Sequence, residues 1–236
     1  MLKKIIPVRV DIKDDDELVR RLLAEKDTYY LNEEGRVCKV TVESDNDECF
    51  DPREYFENVS KFICRDDIDY RLGDKQLPLE ETQEEYDRLK VREDVYLRVV
   101  YMYDHSGISF HFAPVDRWDT TQVGFMYVTR RDIIDNFGDE WADKWMDKAK
   151  EVIEYELKTY NDFCEGAVYG YNLSTRYEVK CVRDDGREWS DWDWEPADNC
   201  SGFFGRDLIE NGLIGEIKAY AKDGKFFWYD YKEEDR

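Results

Sequence analysis

His105 and His111 are the only two histidines, so any imidazole acid–base or metal chemistry has to use one of them. Asp104 precedes His105, and Asp116 and Asp119 follow about a dozen residues later. Carboxylates beside an imidazole could set its tautomer, or together hold a divalent cation. No metal-ligand spacing accompanies them, and neither a metal nor a cofactor is expected. The plainer reading of D-H-S-G at 104–107 is a strand-ending turn in which Asp104 and Ser106 bond backbone amides and Gly107 takes a positive φ. Cys200 stands between Asn199 and Ser201-Gly202; it could be a thiolate nucleophile with His105 as its base. The expectation preferred is a buried structural cysteine ahead of a glycine-assisted turn. G-F-F-G at 202–205 lacks phosphate-loop spacing, and no G-x-x-x-x-G-K-[ST] occurs, which argues against nucleotide hydrolysis.

Acidic clusters at 14–17, 45–48, 66–69, 80–87 and 191–195 are the more unusual feature. None has the ordered D-x-[DN]-x-[DN]-G-x₅-E of a calcium loop, so each is either a solvated face or part of a surface for a cationic partner. Trp189, Trp192 and Trp194 alternate with Asp191 and Asp193 and are followed by Glu195. Large rings with an acidic rim suit a basic protein surface, and arginine stacks on such rings. The competing reading puts at least Trp192 in the core. With Glu80, Glu81, Glu84 and Glu85, these residues form the expected partner-binding set.

The 236 residues carry 35 Lys+Arg against 57 Asp+Glu, a formal charge of −22. Such an excess repels phosphate backbones and anionic lipid, so direct nucleic-acid or membrane binding is not expected. In charge it matches roughly 37 Å of duplex DNA, at about one charge per 1.7 Å of axis. Hydrophobic residues make up 42% and aromatics 15%, enough to offset chain entropy and to argue against disorder. Six cysteines without a C-x-x-C pair point to reduced thiols in a cytoplasm. Neither a signal peptide nor an apolar membrane span is read from the chain.

Periodicity predicts a strand over 4–12, a helix over 14–25 and a strand over 37–42. A short helix is expected from Asp51-Pro52 through Phe62, and loop plus helix over 66–94. Strands are expected over 95–103, 108–112 and 123–128, then a helix capped by Thr129 and ended by Gly138. The longest helix is expected over about 140–163. Strands at 168–173 and 177–182, with 184–186 as a turn, a stretch at 188–195 that alternates only partly, and a helix from 206 or 207 to 221 complete the prediction. The fold class is therefore α+β: mainly antiparallel sheet, one long amphipathic helix and shorter ones. The expected division is an N-terminal region of unknown role over 1–94 and a second over 95–236, or one continuous domain.

Four words within 101–205 carry a resemblance: D-H-S-G-I-S at 104–109, W-D-T-T-Q-V-G-F-M-Y-V at 118–128, V-Y-G-Y at 168–171 and D-N-C-S-G-F-F-G at 198–205. In type and order they resemble a family of uncharacterised proteins found on phages and plasmids, mostly of Gram-positive hosts. Thr120 and Ser201 depart from that family's pattern. The resemblance covers under half the chain and implies no established activity. It does imply a mobile-element setting, in which small acidic proteins counter host restriction or CRISPR systems. The leading expectation is a non-enzymatic, cytoplasmic inhibitor whose acidic surface imitates nucleic acid and binds a basic host nuclease complex. A hydrolase or metal-dependent enzyme using Asp104, His105 and Asp119, or Cys200, is the alternative. A phage or plasmid housekeeping interaction protein is the third.

Overall fold

A computed structural model describes residues 5–45, 51–105, 107–183 and 185–233. Cys49, Ser106, Asp184, the opening 1–4 and most of the 45–48 acidic cluster lie outside them. The elements run β1 (Ile5–Asp11), α1 (Asp15–Leu23), β2 (Thr28–Leu31), β3 (Val37–Ser44), α2 (Pro52–Tyr55), β4 (Lys61–Arg65), β5 (Lys75–Leu77), α3 (Leu79–Lys90), β6 (Val95–Asp104), β7 (Ile108–His111) and β8 (Thr120–Thr129). There follow α4 (Arg130–Phe137), α5 (Trp145–Cys164), β9 (Val168–Val182), β10 (Glu188–Phe204), α6 (Leu213–Tyr220) and β11 (Phe226–Glu233). The chain forms two compact units, one of 1–49 with 168–236 and the other of 50–167. The structure is α+β with two mainly antiparallel sheets. No helix among the described residues is long and apolar enough to cross a membrane.

In the first unit the sheet order is β1-β11-β2-β3-β9-β10, antiparallel throughout. Alternation sends Tyr30, Cys38, Val40, Val42, Tyr171 and Leu173 to one face, where Leu18 and Leu22 of α1 and Leu213, Ile214 and Ile217 of α6 complete the core. The Asp14 carboxylate caps α1 through the Glu17 amide at 2.8 Å, and the acids of its first turn suit the helix dipole.

The second unit has the order β5-β4-β8-β6-β7, with β4 and β5 parallel. Helices cover both faces. Phe62, Cys64, Met102, Met126 and Val128 meet Ile133 of α4 and Ala149, Ile153, Leu157 and Tyr160 of α5, while Ile63 and Phe125 meet Leu89 of α3. Strand β8 crosses β4 so closely that a Cβ on Gly124 would stand 2.0 Å from the Ile63 carbonyl oxygen. Asn161 of α5 bonds both main-chain groups of Phe110, accepting from its N–H at 2.6 Å and donating to its carbonyl at 2.9 Å. It therefore stands in for a neighbouring strand beside β7, the end strand of this sheet.

Several expectations change. The helix predicted through Phe62 stops at Tyr55, and Phe62 belongs to β4. The run F-I-C is apolar because β4 is buried on both faces, which hides the two-residue period. The strands predicted at 168–173 and 177–182 are one strand, β9, and the partly alternating stretch at 188–195 is the start of β10, which runs to Phe204 through irregularities at Pro196/Asp198 and Cys200/Phe203. Residues 139–141 form a separate 3-10 turn ahead of α5. The last helix is shortened to Leu213–Tyr220, with Gly212 at φ 89° before it. Strands β2 and β11 were not predicted. The division expected at 94/95 falls inside the second unit, between α3 and β6, which pack on the same sheet.

Candidate functional site

The three candidate tryptophans lie on β10, the end strand of the first unit's sheet. β3 pairs with β9 only as far as Cys38↔Thr175, so from residue 176 onward β9 and β10 form a two-stranded arm. Its turn is closed by the Gly186 N–H on the Arg183 carbonyl at 2.9 Å. Directly opposed residues share a face. One face carries Trp192, Trp194, Ser190 and Glu188 with Arg176, Glu178 and Lys180. The other carries Trp189, Asp191, Asp193 and Glu195, opposite Cys181, Val179, Tyr177 and Thr175. That second face has three carboxylates and no cation among its paired positions.

The rings are already engaged. Arg176 lies 4.5 Å over Trp192 and Arg183 5.5 Å over Trp189, while Trp194 stacks on Tyr29 of β2 at 5.7 Å. The core reading of Trp192 is corrected: it is 56% exposed and Trp189 44%, and Trp194 is the half-buried one. The reason is the register, which places Trp194 beside the sheet and Trp192 beyond it. Asp191, Asp193 and Glu195 are exposed, and among the described residues none of them forms an ion pair. The Asp193 carboxylate accepts from the Tyr177 hydroxyl at 3.4 Å, and its charge raises that phenol's pKa.

The other acidic candidates lie in the second unit, on α3. Glu80 and Glu81 occupy its first turn, where they favour the helix dipole, and both are exposed, as is Glu84. Glu85 bonds Arg88 at 2.8 Å, which holds its carboxyl below the usual range, and Asp87 pairs with Lys90. The helix's acids are thus partly balanced in place.

The motif words pair off in space. D-H-S-G and W-D-T-T-Q meet in the second unit, where β6 pairs with β8 through Tyr103↔Thr120 and the Asp104 N–H bonds the Asp119 carbonyl at 3.0 Å. His105 Nδ1 comes within 3.3 Å of Asp119 Oδ2. The Asp104 carboxylate takes the Tyr70 hydroxyl at 2.9 Å instead of the backbone amide expected of it. Asp116 Oδ1 accepts from the amides of Trp118 and Asp119 at 2.9 and 2.8 Å, bonds that hold its carboxyl below the usual range. Trp118, at the tip of this turn, is 86% exposed. Gly107 has the expected positive φ, 146°. His111 is separate, on β7, its Nε2 2.9 Å from Ser109 Oγ. His105 and Asp119 are both substantially exposed, so water reaches them freely.

V-Y-G-Y and D-N-C-S-G-F-F-G meet in the first unit as β9 and β10, through Tyr171↔Cys200 and Tyr169↔Phe203. Cys200 is exposed and lies in the strand, which corrects the buried-cysteine reading: the irregularity after it, not a turn, accounts for its glycine. It borders an open, polar hollow of about 320 Å³ with Glu43, Asn172 and Asn199. No group of His, Cys, Asp and Glu among the described residues is arranged to hold a metal ion.

Sequence reasoning missed a buried charge network in the second unit. Arg53, 1% exposed in its side chain, forks onto Asp74 with two bonds of 2.7 Å and reaches Glu156 at 2.9 Å. Glu156 also accepts from the Val59 amide at 2.8 Å and from the Ser60 hydroxyl, and Asp74 from the Phe62 amide at 2.7 Å. The partners lie 21 and 103 residues from Arg53, so no local spacing signals them. Comparison of the chain with protein-family models, curated proteins and solved structures finds no match.

Proposed function

We propose that this protein acts by binding a basic partner protein in place of a nucleic acid, through the acid-lined face of the β9–β10 arm, and that it catalyses nothing itself. The observation that carries the reading is the sorting of charge on the arm: Asp191, Asp193 and Glu195 share a face whose cross-strand positions hold no cation. Residues two apart on a strand recur about every 6.8 Å, the rise of two phosphates along one strand of duplex DNA. A cationic groove built to follow a phosphate row therefore meets a carboxylate row of commensurate spacing, bordered by the Trp189 ring over which Arg183 lies. The likeness to phage- and plasmid-borne proteins supplies the setting, counter-defence inside a host cell, and the partner class, a restriction or CRISPR nuclease with a basic channel.

The test is binding to a panel of cationic host nucleases and nuclease complexes at low and high salt. Binding at low salt that weakens as salt rises is expected, because charge pairing at an exposed groove is screened. No binding to any member at low salt contradicts the proposal. A hydrolase is the second reading, favoured by the 3.3 Å approach of His105 to Asp119. Hydrolysis of ester or phosphoester substrates that disappears in His105→Ala would move the assignment to it.

A further inference from the structure

Among the described residues β10 has one strand neighbour, β9, so its other side is open. Such a strand turns every second amide outward, where another strand can pair with it. On the arm two of these amides are already occupied. The Trp192 N–H bonds Asp191 Oδ1 at 2.8 Å and the Trp194 N–H bonds Asp193 Oδ1 at 2.8 Å. Asn199 repeats the arrangement with Asp198 at 2.9 Å, beyond the irregularity in register. In each case the acceptor is the side chain of the preceding residue. D-W-D-W thus places a carboxylate before each of two successive outward amides, and the two-residue period of a strand makes the arrangement repeat.

What the carboxylates cover is a surface suited to this same chain. Two β10 strands can pair antiparallel about a two-fold axis, giving an isologous contact. With the axis at Asp193, Trp192 of one copy falls opposite Trp194 of the other, an aromatic cross-strand pair that favours association. The same register sets Asp193 against Asp193 and Asp191 against Glu195, and like charges so opposed are unfavourable. An arriving strand must also displace both carboxylates before the amides can donate to its carbonyls.

We propose that the open edge of β10 is a latent pairing surface for β10 of a second copy, and that Asp191 and Asp193 keep it shut by occupying its outward amides. This does not rest on the partner reading above, since it concerns the hydrogen bonds of these side chains and not their charge alone. The two are separated by substitution: asparagine removes the charge and keeps an oxygen to accept the amide, whereas alanine removes both.

Sedimentation of the wild type, D191A/D193A and D191N/D193N over a range of concentration, with hydrogen exchange of amides 192 and 194, tests it. The alanine variant is expected to rise towards twice the wild-type mass with concentration and to exchange those two amides at least tenfold more slowly. The asparagine variant is expected to keep the wild-type mass. An alanine variant at wild-type mass throughout overturns the proposal, as does association without protection of the two amides. Equal pairing by the asparagine variant overturns it too, because charge repulsion alone would then close the edge. Both positions are exposed on the arm, and unchanged far-ultraviolet circular dichroism verifies the fold of each variant.

Discussion

Taking away the guanidinium of Arg53 would leave Glu156 and Asp74 facing each other across a site from which water is largely excluded. Removing one member of a buried ion pair typically costs about 3–5 kcal/mol, chiefly because the remaining charge is uncompensated. Arg53→Met is therefore expected to lower the unfolding free energy of the second unit by about that amount in a denaturant titration; a loss under about 1 kcal/mol would show that the network is not structural. Asp116 works in the opposite regime, at the surface. Its amide bonds depress its folded pKa, so its contribution to the turn is complete above the unfolded value of about 3.9 and is lost as pH falls through the folded one. Trp118 fluorescence is expected to report that loss below about pH 4 and at no higher pH, and Asp116→Asn should abolish the transition. Residue types alone raised Asp104, His105, Asp116 and Asp119 as a cluster that no spacing supported; the pairing of β8 beside β6 is what brings Asp119 to Asp104 and His105. They could not reveal Arg53, whose partners become neighbours only when the sheet and α5 are assembled.

Among elements, those with a complete local signal were readable. α4 has a capping box in which Thr129 and Asp132 satisfy each other's amides, and Gly138 at its end. α5 repeats apolar residues along one buried side. β2 is four residues long and gains its partners from β3 and from β11, near the other end of the chain, so T-Y-Y-L, though of strand-favouring types, is too short to show a period. β4 was misassigned because burial on both faces erases alternation. Packing also explains a motif residue that could be mistaken for a functional one. Gly124, in the W-D-T-T-Q-V-G-F word, lets β8 approach β4, and a methyl group there would collide with the Ile63 carbonyl. Gly124→Ala is expected to separate the two strands and cost about 1–3 kcal/mol or more, read as a lowered midpoint in thermal unfolding. An unchanged midpoint would remove the structural account of that glycine. Both sheets also protect an end strand with side chains, β7 through Asn161 and β10 through its aspartates. Neither device can be recognised before the strand order is known.

At the scale of the molecule, the first unit is assembled from the two ends of the sequence, with β11 lying between β1 and β2. Composition shifts along the chain could not expose that, since the joining strands are separated by the whole second unit. The charge of −22 was plain from the start, but its meaning depends on where cations stand. On α3 they lie alongside the acids, whereas on the arm the positions opposite Asp191, Asp193 and Glu195 hold none, and Arg183 lies over Trp189 towards the turn. The most direct measurement of the central claim compares wild type with D191N/D193N/E195Q in displacing a polyanion from a basic nuclease complex, titrated across ionic strength. The wild type should displace it at low salt with an affinity that falls steeply as salt rises. The triple variant, whose arm keeps its amide bonds, should be at least tenfold weaker and nearly insensitive to salt. Equal displacement by the two proteins would contradict the account.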